Sequence, residues 1–115
     1  MSIATRPRPV PREIEENYTT GRYNPGSIAN GVAGGYMVNT YDLPQRPLYE
    51  LPALTLHEAV PGHHFEISLA QEQTGLPAFR RFVGTGAYSE GWGLYCERLG
   101  QELGLYTDPY QWVGR

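Results

Sequence analysis

The chain is poor in cysteine, in net charge and in long apolar runs. A single thiol, Cys96, among 115 residues excludes an internal disulfide, which is compatible with a reducing compartment. The net charge is only -3, from 9 basic and 12 acidic residues, so the chain lacks the basic footprint of a nucleic-acid binder. Arg6, Arg8, Arg12 and the Arg80-Arg81 pair read as solvated surface. No apolar run approaches the ~20 residues needed to cross a bilayer. The start, Met1-Ser2-Ile3-Ala4-Thr5-Arg6-Pro7, has no apolar stretch of signal-peptide type. The expectation is a chain with neither membrane nor nucleic acid as partner, cytoplasmic by default, and of undetermined oligomeric state. Repeats and low-complexity tracts are also missing. Hydrophobic residues nevertheless make up 40%, enough to argue against wholesale disorder and for a modest core in one domain's worth of chain.

Glycine and proline are abundant, 14 and 10 residues, and concentrate turn signals in the first half. Arg6-Pro7-Arg8-Pro9-Val10-Pro11 reads as a stiff, extended entry segment, with a ligand for a proline-recognising module as the rival reading. Residues 13–35 are polar and glycine-rich and read as turns and loop. Tyr36-Met37-Val38-Asn39-Thr40-Tyr41 is a short aromatic and β-branched run, expected to be a strand. From Leu51 the spacing of Leu51, Leu54, Ala59, Phe65, Leu69 and Ala70 becomes helical. It predicts a helix over 51–73, interrupted where Pro61 removes a donor and clashes with the preceding turn. Further helices are expected over about 77–82 and from Ser89 to Leu103, with Gly104 beyond the end. Asp108-Pro109 marks another helix start close to the end of the chain. The fold class is mainly α with a small β element (α+β). Residues 1–50 form an extended, loop-rich segment with a short strand near 36–41, and residues 51–115 a helical segment. Together they read as one incomplete domain, cut from a longer protein.

All three histidines fall within His57-Glu58-Ala59-Val60-Pro61-Gly62-His63-His64. Neutral imidazoles are zinc ligands, and a third protein ligand leaves a position open for water. The ion lowers the pKa of that water, and an adjacent carboxylate can take its proton. In the common His-Glu-x-x-His arrangement the histidines stand four apart on one helix face. Here His57 and His63 are six apart, a rise of ~9 Å and a turn of ~240° on a regular helix. His57 and His64 share a face but are separated by ~10.5 Å of rise. Looping out two residues at Pro61-Gly62 would restore the four-residue relation between His57 and His63. These two are therefore the expected ligand pair, with Glu58 as general base. His64 is expected beside the metal set or facing substrate.

The third ligand should come from another helix. Glu90, in Tyr88-Ser89-Glu90-Gly91-Trp92, is the leading candidate, because Gly91 and Gly93 would permit close helix approach. Glu97, two turns on, is the runner-up, and Glu66 and Glu72 are less well placed. An ordinary glutamate at a helix start, favoured there by the helix dipole, competes with the ligand reading of Glu90. Tyr88 is a possible neighbour of the site, while Trp92 and Tyr95 read as core.

The string His57-Glu58-Ala59-Val60-Pro61-Gly62-His63-His64, followed by Tyr88-Ser89-Glu90-Gly91-Trp92-Gly93-Leu94-Tyr95-Cys96-Glu97, resembles a large bacterial family, the domain of unknown function 885, regarded as gluzincin-like. Val38-Asn39-Thr40-Tyr41-Asp42-Leu43-Pro44, Gly104-Leu105-Tyr106 and Asp108-Pro109-Tyr110 extend the resemblance over essentially the whole chain. It implies a largely helical, zincin-like region acting on peptides. One zinc ion would be held by His57, His63 and Glu90, Glu58 would activate water, and Tyr36 to Tyr41 would lie near the substrate. Two departures stand out. Four residues separate Glu58 from His63 where ordinary gluzincins have two, and members of the family are several times longer. The alternative is a metal-binding or scaffold segment without catalytic activity of its own.

Overall fold

The structure is a computed structural model that describes residues 6–115. Residues 1–5, which belong to the stretch read as lacking a leader, lie outside the described residues. Among the described residues the architecture is α+β: a three-stranded sheet packed beside five α-helices. The strands are β1 (Pro7–Pro9), β2 (Gly21–Asn24) and β3 (Gly35–Val38), in the order β1-β3-β2. β3 pairs in parallel with β1 and antiparallel with β2. Pro7–Pro9 of the proline-rich entry segment is thus an edge strand, a place in a sheet where a proline need cost no ladder bond.

Two differences from the expected layout concern the strands. Gly21–Asn24, read as part of a turn-rich stretch, forms β2 and alternates buried Gly21 and Tyr23 with exposed Arg22 and Asn24. β3 stops at Val38 rather than running to Tyr41; the Asn39 amide still donates to the Thr20 carbonyl at 2.9 Å, and its side chain ties the strand end to the loops. Its side-chain amide donates to the carbonyls of Glu15 and Tyr18 at 2.7 and 3.2 Å, and its Oδ1 accepts from the Tyr41 amide at 2.9 Å.

The helices are α1 (Leu51–Glu58), α2 (His63–Glu72), α3 (Ala78–Phe82), α4 (Gly86–Glu102) and α5 (Pro109–Val113). The long helical pattern of 51–73 divides as its proline demands. The last regular bond of α1 runs from the Ala59 amide to the Thr55 carbonyl at 2.9 Å, and α2 resumes with Glu66 to Gly62 at 3.0 Å. Between them the Phe65 amide reaches back to the Ala59 carbonyl at 3.3 Å. That bond spans six residues instead of four, which is a helical turn with two residues looped out. Gly62 is required in this break. A Cβ there would collide with the His57 carbonyl oxygen, and neither partner can rotate away as a side chain would.

α4 begins at Gly86, a turn earlier than Ser89, and has no acidic residue in its first turn. It ends at Glu102, and Gly104 just beyond, with a positive φ of 67°, is the left-handed residue that closes the helix. Asp108 caps α5, its Oδ1 accepting from the Tyr110 amide at 2.7 Å while Gln111 bonds back to the cap. The core is small. Ala53 and Leu56 of α1 pack with Tyr106, and Tyr36 and Cys96 are wholly buried. α4 admits α1 through glycines: a Cβ on Gly100 would overlap Leu56 and lie 3.1 Å from the Tyr106 ring. A Gly100→Ala substitution should therefore overpack this seam and cost about 1–3 kcal/mol, read as a lower denaturant midpoint at unchanged m-value.

Candidate metal centre

The break between α1 and α2 decides which histidines meet. His57 lies in the last turn of α1 and His63 is the first residue of α2. With two residues looped out, their rings stand edge to face, centroids 4.7 Å apart. Glu90 arrives from the second turn of α4. Its carboxylate spans the pair, with Oε2 at 3.1 Å from His57 Nε2 and Oε1 at 3.7 Å from His63 Nε2. Ligand atoms of His57, His63 and Glu90 all lie within 4.8 Å of one another. Because α4 starts early, Glu90 is past the first turn, and the helix dipole does not account for its position.

The donor chemistry suits a divalent ion. A tetrahedral zinc with bonds of about 2.0–2.1 Å holds its ligand atoms about 3.3 Å apart, and the two carboxylate–imidazole separations bracket that value. The histidine side chains are 14% and 11% exposed and that of Glu90 is 65% exposed, so the set is held from beneath and open on one side. Each imidazole is also held at its other nitrogen. His57 Nδ1–H donates to Glu97 Oε1 at 2.6 Å, and His63 Nδ1 is hydrogen-bonded to Ser89 Oγ at 3.2 Å. Partners of this kind set the tautomer that leaves Nε2 free to ligate. Burial by itself would lower the pKa of His57. The hydrogen bond to Glu97, the Glu58 charge, the hydrogen bond to Glu90 and the Glu97 charge outweigh it and raise the pKa above 6.5. The carboxylates around this ring thus favour its charged form.

Glu97 is therefore the buttress of His57, distinct from the three residues whose ligand atoms converge. Glu90, Gly93, Glu97 and Gly100 recur at helical spacing and share one face of α4. Of the two glycines expected to admit the partner helix, only Gly93 does so: a Cβ there would lie 2.6 Å from His57 Nε2, whereas at Gly91 it would meet nothing within 4 Å. Glu58 is buried, and its Oε2 accepts the Tyr23 amide of β2 at 2.7 Å. His57, Glu58 and Glu97 wall one cavity of about 310 Å³ together with Thr20, Gly21 and Ala53.

Other expected residues sit elsewhere. His64 is buried against Tyr23, with Nδ1 at 3.1 Å from the phenol oxygen, and is outside the converging set. Tyr88 is 61% exposed and lines a separate groove with Phe65 and Trp92. Tyr95, read as core, is 49% exposed and lies against Trp92. Trp92 is half-buried and donates Nε1–H to the Pro61 carbonyl at 2.8 Å, tying α4 to the helix break. Glu66 is absent from the set; burial pushes its carboxyl above the usual range, partly offset by His63. β2 lies against α1, and Tyr36 of the central strand is fully buried and lines a second cavity with Leu51 and Thr55 of the same helix. Tyr23 and Ser89 are the site residues that spacing did not reveal.

The model of a family described as "Bacterial protein of unknown function (DUF885)" matches residues 2–115. The chain is similar to a crystal structure named as "the putative lipoprotein from Colwellia psychrerythraea", with a TM-score of 0.92 and 37% identity. That match covers 97% of this chain and 19% of the other, so the chain spans under a fifth of that protein. No curated protein matches it. Among the described residues, no helix is long and apolar enough to cross a membrane.

The geometry around Gly93 gives a direct test. Gly93→Ala should drive the His57 ring away from Glu90 and His63 and weaken zinc binding by about 10–100-fold, the range for disturbed ligand orientation. Chelator competition measures it, and Gly91→Ala serves as a control that should leave affinity unchanged.

Proposed function

The chain belongs to the bacterial family of unknown function DUF885, and we propose that it carries the zinc site of a gluzincin-like metallopeptidase. The observation that carries this reading is the convergence of His57 Nε2, His63 Nε2 and the Glu90 carboxylate, with Glu97 behind His57. One zinc ion at this set would supply a Lewis acid that lowers the pKa of water and polarises a peptide carbonyl. The chain's own residues do the rest of the assigned work. Glu97 holds the proton of His57 on Nδ1, so that Nε2 presents its lone pair to the shared point. Ser89 steadies His63 in the same way. Glu58, adjacent to His57 and held at Oε2 by the Tyr23 amide, takes the proton of the attacking water and passes it to the leaving amine. His57, Glu58 and Glu97 wall a cavity of about 310 Å³, and the peptide substrate class rests on the gluzincin-like motif.

A second reading has one observation in its favour. The structural relative is five times longer than the matched segment, which favours a segment that holds the metal while catalysis needs groups from elsewhere in a longer chain. The naming of that relative as a lipoprotein also favours a cell-envelope setting over the cytoplasmic one expected by default.

Purified protein never exposed to chelator should contain one zinc per chain by elemental analysis; folded protein without metal would remove both readings. Glu58→Gln should retain the metal and lose hydrolysis of a peptide library by about 10²–10⁴-fold. Full activity in that variant would exclude the general-base role. Zinc-loaded but inactive wild-type chain would favour the second reading.

A further inference from the structure

The two half-helices that bring His57 and His63 together are joined by a loop, and a loop alone does not hold two imidazoles in register. Besides Glu90, a residue of the sheet touches both halves. Tyr23 lies in β2, an edge strand of the sheet, opposite Tyr36 of β3. Its backbone amide donates to Oε2 of Glu58, the last residue of α1, at 2.7 Å. Its phenol is hydrogen-bonded to Nδ1 of His64, the second residue of α2, at 3.1 Å. Each contact falls on the residue directly after a histidine of the converging pair.

The strut is stiff. Tyr23 is 5% exposed, and its ring meets that of His64 edge to face at 5.2 Å and 67°. On the far side, Gly34 leaves the phenol its space, since a Cβ there would overlap the hydroxyl. The backbone end is anchored by the sheet, and two rotatable bonds lead to the hydroxyl. Loss of the phenol oxygen would leave His64 Nδ1 buried without its partner and α2 free to settle differently against α1.

The geometry points to Tyr23 as a positioning residue of the metal centre, acting through Glu58 and His64 to set the separation of His57 and His63. This rests on the metal-site reading above and extends it to a residue that touches no ligand atom. It also gives buried His64 its role: the α2 end of the strut.

The test uses cobalt(II) as a spectroscopic substitute for zinc in wild type, Tyr23→Phe, His64→Ala and His64→Asn. An Asn amide places a polar atom near the position of imidazole Nδ1, so His64→Asn can restore the contact that His64→Ala removes. Wild type should bind one cobalt and show the absorption of a four- or five-coordinate site. Tyr23→Phe and His64→Ala should bind it about tenfold more weakly, at the lower end of the effect of outer partners, with a shifted spectrum. His64→Asn should recover most of the affinity. Wild-type affinity and spectrum in Tyr23→Phe would overturn the inference, even if the metal-free melting temperature fell, because Tyr23 would then be merely structural. Equal loss in His64→Asn and His64→Ala would also overturn it. Wild type that takes up no cobalt would instead remove the metal site itself.

Discussion

The arrangement of this chain depends on one hydrogen bond of unusual span, from the Phe65 amide to the Ala59 carbonyl. A helix that loses the donor of Pro61 must either end or absorb the defect. This one absorbs it by looping out two residues, closing the turn over six positions and resuming at His63. Gly62 makes the closure possible, since any larger residue would strike the His57 carbonyl. From this follow the approach of the two imidazoles, the need for braces on either side, and the small residues on α4 that receive the first half-helix.

The braces come from different parts of the chain and divide the work. Trp92 of α4 holds the loop by bonding the Pro61 carbonyl, and Tyr23 of β2 holds both helix ends. α4 contributes three more features from one face: Glu90 to the open side of the histidines, Gly93 beneath His57, and Glu97 behind it. Both carboxylates address the same imidazole, one at each nitrogen. Glu97 is 15% exposed and Glu90 is 65% exposed. A half-buried carboxylate thus stands behind the ring and an exposed one in front of it.

Parts of this were legible beforehand because their causes are local. Pro61 and Gly62 announce a helix break from their own covalent structure, and the break implies the pairing of His57 with His63 over His64. Asp108 caps the last helix and Gly104 closes α4 for equally local reasons. β2 was not legible. Gly21-Arg22-Tyr23-Asn24 has weak strand character by itself and is a strand only because β3 supplies its partners fourteen residues later. Tyr95 misled for the related reason that an aromatic residue on a helix does not declare which face has a neighbour.

What the sequence by itself determined is the identity of the chemical groups, the place where the helix must break, and the α+β class, since each rests on residue type and short-range geometry. Only the tertiary structure decided that Glu90 meets Nε2 and Glu97 meets Nδ1 of one imidazole, that Gly93 rather than Gly91 admits it, and that Tyr23 spans the break. Glu90 and Glu97 lie seven residues apart on one helical face and are equivalent along the chain. Their roles separate only when α1 crosses α4 at Gly93, and that crossing is set by packing between residues nearly forty positions apart.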